Sequence, residues 1–318
     1  MIDTIHLYIR TDQLPLNYQK DFRHLFTDHE TKIDYTGATN TGRFKNFKIL
    51  FNESGMYLYG SLAKYYLGTN QKTLRKSDII KAIDDLSQEL SLPLYKARVN
   101  RVDLAENIIT TQPINLYYNL LGTARYFQRW EINDNVAYQN GNRYILFYDK
   151  MREIQKSKEV PTRILNHKNV LRVEYRFLKH LTLARFLGLA TVTVEDIVLH
   201  YPDLVNAWYD MFNKIDKHRN RIHFAPSVFA EKGLFDKQIR MIGVEAIGGM
   251  KAITEMVKAA NRANQFEYSN KPSNILNRYK ALMSTPKLTV ISPLIDELEK
   301  KMRIAHFVNA EHPQLNYN

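Results

Sequence analysis

Tyr144-Ile145-Leu146-Phe147-Tyr148-Asp149-Lys150 reads as a short β-strand. Alternation puts Tyr144, Leu146, Tyr148 and Lys150 on one face and Ile145 and Phe147 on the other. A phenolic nucleophile with a cation beside it is one way to attack a phosphodiester. Taken alone, Tyr148 is an ordinary half-buried aromatic of a sheet. The rest of the chain decides between the two readings.

Two further strands carry matching faces. In Arg98 to Asn107, Val99, Arg101, Asp103 and Ala105 fall on one side, and Asn100, Val102 and Leu104 on the other. In Val170 to Phe177, Arg172, Glu174 and Arg176 oppose an apolar face of Leu171, Val173, Tyr175 and Phe177. Brought onto one surface, these residues have the parts for phosphoryl transfer. Asp103 and Glu174 are hard oxygen ligands suited to Mg²⁺ or Mn²⁺. Lys150 and the arginines would hold a phosphate, and Tyr148 would attack it. His6, on the polar face of the strand Ile5-Leu7-Ile9, is a candidate further ligand or a solvated strand histidine. The bland alternative makes Asp103 and Glu174 partners of Arg101 and Arg172 in surface ion pairs.

Charge narrows the partner. The 318 residues carry 45 Lys+Arg against 33 Asp+Glu, a formal net charge of +12. Such an excess favours a polyanion, nucleic acid first and an acidic membrane surface second. The 20 tyrosines and 15 phenylalanines offer surface on which unpaired bases could stack. Cysteine is absent, which excludes disulfides, thiolate catalysis and Cys-based zinc sites. There is no His-x-His pair, no His-Glu-x-x-His helix and no phosphate-binding Gly-x-x-x-x-Gly-Lys loop. No run of about 18 apolar residues occurs, and Met1-Ile2-Asp3-Thr4 is acidic where a signal peptide is basic. These features predict a cytoplasmic protein with no membrane partner.

Along the chain, the pattern predicts a hairpin around Asn52-Glu53-Ser54-Gly55 and a loop from Gly60 to Lys76. A helix over Ser77 to Leu90 follows, with Ser77 as N-cap, and a second over Pro113 to Leu121. Asn133 to Asn135 and Asn140 to Asn142 carry turn chemistry. Beyond Gly188 the pattern turns helical: Val194 to His200, Pro202 to Lys217, Phe235 to Val244, Gly249 to Phe266, Pro272 to Met283 and Ser292 to Met302. The expected fold class is α+β, an antiparallel sheet with helices on one face. The shift near residue 188 divides the chain into 1–188 and a helical 189–318.

The ordered motifs have a counterpart. Met1-Ile2-Asp3, Asn100-Arg101-Val102-Asp103-Leu104, Tyr148-Asp149-Lys150 with Glu153, and Leu171-Arg172-Val173-Glu174-Tyr175-Arg176 resemble the replication initiation endonucleases of filamentous phages and related phage and plasmid proteins (the gene II/X family). The likeness to initiators of rolling-circle plasmids is more distant. The resemblance implies a five-stranded antiparallel sheet backed by helices, of the HUH/Rep type. It implies a nickase that starts rolling-circle replication, with residues 1–188 as the nicking and joining domain. Tyr148 would cut one strand of origin DNA and stay on its 5′ end, leaving a 3′ hydroxyl that primes synthesis by a host polymerase and helicase. Asp103 and Glu174 would be metal ligands; His6, from the strand reading and not the resemblance, is the candidate third. Lys150 would contact the phosphate or the leaving group; the strand-face reading adds Arg101, Tyr144, Arg172 and Arg176 as expected DNA contacts.

The helical region resembles the family less. Phe235 to Val244 and Gly249 to Phe266, joined by Glu245-Ala246-Ile247-Gly248, are either a helix-turn-helix for origin duplex or plain packing. Lys214, Lys217, His218, Arg219 and Arg221 are either phosphate contacts or a solvated helix end. Two rival functions share the charge pattern. One is a non-enzymatic DNA-binding protein of plasmid copy control or partition. The other is a conjugative relaxase, whose usual histidine cluster is missing.

Overall fold

The computed structural model describes residues 1–15, 26–34, 37–218, 222–224, 226–285, 289–291 and 293–310. The chain opens with β1 (Ile2–Arg10), β2 (Thr27–Asp34), β3 (Gly37–Phe44), β4 (Phe47–Asn52) and β5 (Gly55–Ser61), followed by α1 (Leu62–Leu67) and α2 (Lys76–Leu90). Then come β6 (Arg98–Thr110), α3 (Ile114–Tyr118), β7 (Leu121–Ala124), β8 (Gln128–Ile132), β9 (Asn135–Asn140) and β10 (Arg143–Asp149). They are followed by α4 (Lys150–Lys156), β11 (Asn169–Phe177), α5 (His180–Leu187), α6 (Val194–Leu199), α7 (Tyr201–Asn213) and β12 (Ile215–Lys217). The remainder is β13 (Ile222–Phe224), α8 (Leu234–Ala246), α9 (Gly249–Arg262), α10 (Lys271–Met283), β14 (Thr289–Ile291) and α11 (Leu294–Asn309).

The α+β class holds, but the sheet is larger than the five strands expected. Ten antiparallel strands run in the order β2-β3-β4-β5-β1-β6-β11-β10-β9-β8. The extra strands have weak patterns. β2 is Thr-Asp-His-Glu-Thr-Lys-Ile-Asp, and its one large apolar side chain, Ile33, is 82% exposed. Pairing with β3, not alternation, makes it a strand, and its charges suit an edge. β9 is six residues between two asparagine-rich turns, short enough to read as turn.

Alternation builds the core. Ile5, Leu7 and Ile9 of β1, Val102 and Leu104 of β6, and Val173, Tyr175 and Phe177 of β11 are buried on one face. They join Ile79, Ile83, Leu86 and Leu90 of α2 and Leu204, Trp208, Met211 and Phe212 of α7 in a single apolar cluster. The Trp208 indole donates to Val173 O at 3.2 Å. The hairpin between β4 and β5 turns where expected. Gly55 there has φ +149°, and a Cβ on it would lie 2.1 Å from Ile9 O, so only glycine lets β1 approach.

Compact units divide the chain elsewhere than at residue 188. One comprises Met1–His218 with the C-terminal helix α11; the other is Arg219–Pro293. The first absorbs α6, α7 and α11 because their apolar faces complete the sheet's core. In the second, Val244, Ile253 and Val257 cluster with Met250, Phe266, Ile275, Leu276, Tyr279 and Met283, so α10 packs on the α8–α9 pair. Gly248 (φ +103°) and Gly249 (φ +74°) make the joint between α8 and α9. Of the expected basic cluster, Arg219 and Arg221 lie outside the described residues, as does Ser292. Among the described residues no helix is long and apolar enough to cross a membrane.

Candidate active site

Directly opposed residues in adjacent antiparallel strands point to the same side. Across β6, β11 and β10 the register stacks three rows on the face away from the core: Asp103–Arg176–Tyr144, Ala105–Glu174–Leu146, and Asn107–Arg172–Tyr148. The residues singled out by alternation therefore do converge. Two bulges modify the pattern. Between His6 and Leu7 the register slips, Asn100 is the extra residue, and Val99 turns into the core instead of lying beside Arg101. Between Ile2 and Ile5 a second slip sets two residues of β1 against Asp103, and Asp3 turns toward the polar face, where it meets Arg172.

Every carboxylate oxygen of Asp103 and Glu174, the two acids among the expected metal ligands, is already partnered. Asp103 accepts from Arg101 Nε at 2.8 Å and Nη2 at 2.6 Å. Glu174 Oε1 accepts from Arg172 Nε at 2.8 Å, and Oε2 accepts from Arg176 Nε at 2.9 Å. Arg172 also bonds Asp3, Asn70 O and Asn107 Oδ1. Burial alone would raise Glu174, but the Arg172 and Arg176 charges outweigh it and bring its carboxyl down to about 2. Asp103 moves the other way. Burial pushes it up against the pull of Arg101, because its second guanidinium, Arg176, stands 3.7 Å off.

The Tyr148 hydroxyl donates to Glu174 Oε1 at 2.8 Å. Burial raises its pKa well above the ordinary phenol value, Arg172 pulls against this, and Glu174 adds to it. The phenol is therefore protonated at rest. An open pocket of about 220 Å³ lies beside it, lined by Asn133, Asn135, Arg152, Lys156 and Arg176 among others. Asp134 on the β8–β9 turn pairs with Arg152, which ties that turn to α4.

Lys150 does not stay on the strand. Asp149 caps α4, accepting from Met151 N at 2.9 Å and Arg152 N at 3.2 Å, so Lys150 is the first helical residue. Its Nζ is fully buried and donates to Asn70 Oδ1 at 2.8 Å and Glu153 Oε2 at 2.5 Å. Burial, then Arg172, lowers its pKa. Glu153, not Lys150, reaches the pocket.

His6 stands opposite Arg101 and packs edge-on against Tyr59, with ring centroids 4.8 Å apart. Burial, then Arg101, lowers its pKa to about 4, so it is neutral at pH 7. Tyr144 carries the Arg176 guanidinium over its ring at 5.5 Å. Asp103, Glu174 and His6 are the right donor types for a hard cation, but as placed they do not fit one. The guanidinium groups and the Tyr148 hydroxyl hold the carboxylates. Among the described residues no group of three or more His, Asp or Glu is placed to hold a metal ion.

Asp3, Asn70 and Asn107 belong to this lattice; alternation from Asp103 extends to Asn107, but it does not single out Asp3 or Asn70. Asp3 lies inside the quoted Met1-Ile2-Asp3 motif, where it reads only as part of a strand. Asn70 sits in a stretch that reads as loop, and nothing local marks it.

Residues 1–195 match a family model that describes the N-terminal part of replication-associated proteins of the filamentous-phage gene II type. No curated protein matches the chain. The matched segment runs from β1 through α5 to the first residues of α6, and it holds every residue of the polar face described above. With more than half of its length matched and its polar face wholly inside the match, the chain belongs to this family of replication-associated proteins.

Proposed function

We propose that this protein nicks one strand of replication-origin DNA with Tyr148 and starts rolling-circle synthesis. The Tyr148 hydroxyl, bonded to Glu174 inside a cage of arginines and facing an open pocket, carries this reading. Tyr148 Oη attacks phosphorus and the P–O3′ bond breaks. The 5′ phosphate stays on the tyrosine, and the leaving oxygen takes a proton from solvent water to become the 3′ hydroxyl that primes a host polymerase.

Glu174 is a poor base at rest, because two guanidiniums hold it near 2. A DNA phosphate competes for those same guanidiniums. As they turn to the phosphate, Glu174 loses their stabilisation, burial dominates, and its basicity rises. It then accepts the Tyr148 proton while the arginines stabilise the charge growing on phosphorus. Lys150 acts through Glu153 as a positioning residue. The unit of α8–α10 is the candidate contact to origin duplex.

The test is incubation of the whole protein with single-stranded origin DNA and Mn²⁺, followed by mass-spectrometric mapping of the linked residue. An adduct on Tyr148 that disappears in Tyr148→Phe, with DNA binding retained, supports the proposal. An adduct of undiminished yield from that variant rules Tyr148 out. Mg²⁺ or Mn²⁺ reaches these carboxylates only by displacing guanidinium groups, and cleavage in EDTA against cleavage with added Mn²⁺ tells whether DNA brings that exchange about. The saturation of Asp103 and Glu174 by arginine favours a second reading, a DNA-binding protein with a structural ion-pair lattice. Absence of any adduct with bound origin DNA would select it.

A further inference from the structure

The half of the polar face away from Tyr148 is built differently. Lys48, Tyr59, His6 and Arg101 stand directly opposite one another on β4, β5, β1 and β6 and form one rung. Leu50, Tyr57, Tyr8 and Arg98 form the next. The bulge at Asn100 returns Arg98 to this face, so both rungs end in an arginine. Tyr8 and Tyr57 have centroids 4.6 Å apart, and Tyr57 and Tyr59 lie parallel at 6.1 Å. The Arg98 guanidinium sits 4.6 Å over Tyr8.

All four rings are half-buried, and Lys48 is exposed. The Tyr8 hydroxyl donates to Ser54 O at 2.7 Å, whereas those of Tyr57 and Tyr59 have no hydrogen-bond partner among the described residues. Rings half open to solvent do little for a core. Rings interleaved with cations are what an unpaired nucleic-acid strand needs: bases stack on the rings while lysine and arginine neutralise phosphates. A duplex keeps its bases stacked inside and offers them nothing.

We propose that these two rungs are a stacking platform for unpaired bases of a single DNA strand. By strand spacing and rise, the tyrosines of the platform lie about 30 Å from Tyr148. Arg176 and Tyr144 lie between, on rows adjoining Arg101. The platform therefore holds nucleotides several positions from the bond that is cut. Its role in nicking rests on the Tyr148 proposal, but stacking itself needs no cleavage.

The experiment uses the whole protein carrying Tyr148→Phe, so that no adduct forms, and a fluorescent single-stranded oligonucleotide. Tyr57→Leu/Tyr59→Leu is compared with Tyr57→Phe/Tyr59→Phe by anisotropy titration over a salt series. The leucine pair should weaken binding by roughly 5- to 150-fold for each base unstacked. The phenylalanine pair should bind like the parent, and the salt slope should hold in both, since the phosphate contacts are kept. A leucine pair that binds like the parent, or a phenylalanine pair as weak as the leucine pair, overturns the proposal. Should the leucine pair fail to fold, photocrosslinking of an iodouracil-bearing strand to the Tyr148→Phe protein decides. Crosslinks on Tyr8, Tyr57 or Tyr59 support the platform, and crosslinks confined to other residues overturn it. Loss of stacking in the leucine pair, with no adduct from protein in which Tyr148 is intact, would sink the nickase reading and leave the platform standing.

Discussion

Arg172 is the residue on which the polar face depends most. It is 2% exposed and binds Asp3 and Glu174 at once. Removing it leaves the buried Asp3 without its guanidinium partner and the buried Glu174 with Arg176 alone. Arg172→Met should therefore cost about 3–5 kcal/mol in urea denaturation. Arg101→Ala should cost less, because its side chain is 26% exposed and Asp103 keeps Arg176 nearby. Equal losses would mean that the lattice is not organised around Arg172. His6 gives a second test. Its folded pKa is lowered to about 4, so protonation favours the unfolded chain. Its share of stability is complete above the ordinary value of 6.5 and is lost as pH falls toward 4. An NMR titration should put the imidazole midpoint near 4, and a midpoint near 6.5 would refute the burial argument.

Among the elements, the junction of β10 and α4 matters most for the site. Periodicity places Tyr148 and Lys150 on one strand face, and a cap intervenes. Asp149 holds the first turn of α4, and the backbone direction changes at Lys150. Asp149→Ala should cost about 1 kcal/mol and loosen Glu153 beside the pocket. Lower thermal stability together with slower adduct formation would bear this out. An unchanged adduct rate would mean that Glu153 plays no positioning part. Strand faces are legible wherever alternation is clean, as in β10 and β11. Alternation misleads in β6, where one extra residue at Asn100 reverses the side chains before it. A bulge has no sequence mark there, because the register of β1 against β6 creates it.

The largest unit closes with a helix from the end of the chain. Glu297 of α11 accepts from Thr111 N at 2.9 Å, Thr111 Oγ1 at 2.6 Å and Tyr117 Oη at 2.6 Å. Asn309 donates to Glu106 at 2.8 Å. Burial opposes the charge on Glu297, but the Lys301, Thr111 and Tyr117 bonds bring its carboxyl to about 2. A lowered carboxyl pKa contributes stability above its ordinary value of 4.5, and that contribution is lost as pH falls toward 2. Glu297→Gln should flatten the acid limb of a stability–pH curve over that window. Truncation after Pro293 should lower the melting temperature of the Met1–His218 sheet, measured by calorimetry. An unchanged melting temperature would show that α11 is not part of that unit.

The order of the motifs by itself pointed to the family, and alternation by itself grouped Arg101 with Asp103, Glu174 with Arg172 and Arg176, and Tyr148 with Tyr144 on their own strands. Both are short-range properties of side-chain period and spacing. Only the tertiary structure decided what those residues do to one another. The partners of each carboxylate come from strands and loops as far apart in sequence as Asp3, Asn70 and Arg172, and their pairing depends on register and bulges. The docking of the closing helix and the pairing of the weakly patterned strands β2 and β9 were settled the same way. Their apolar surface or backbone bonds find partners only once the sheet is assembled.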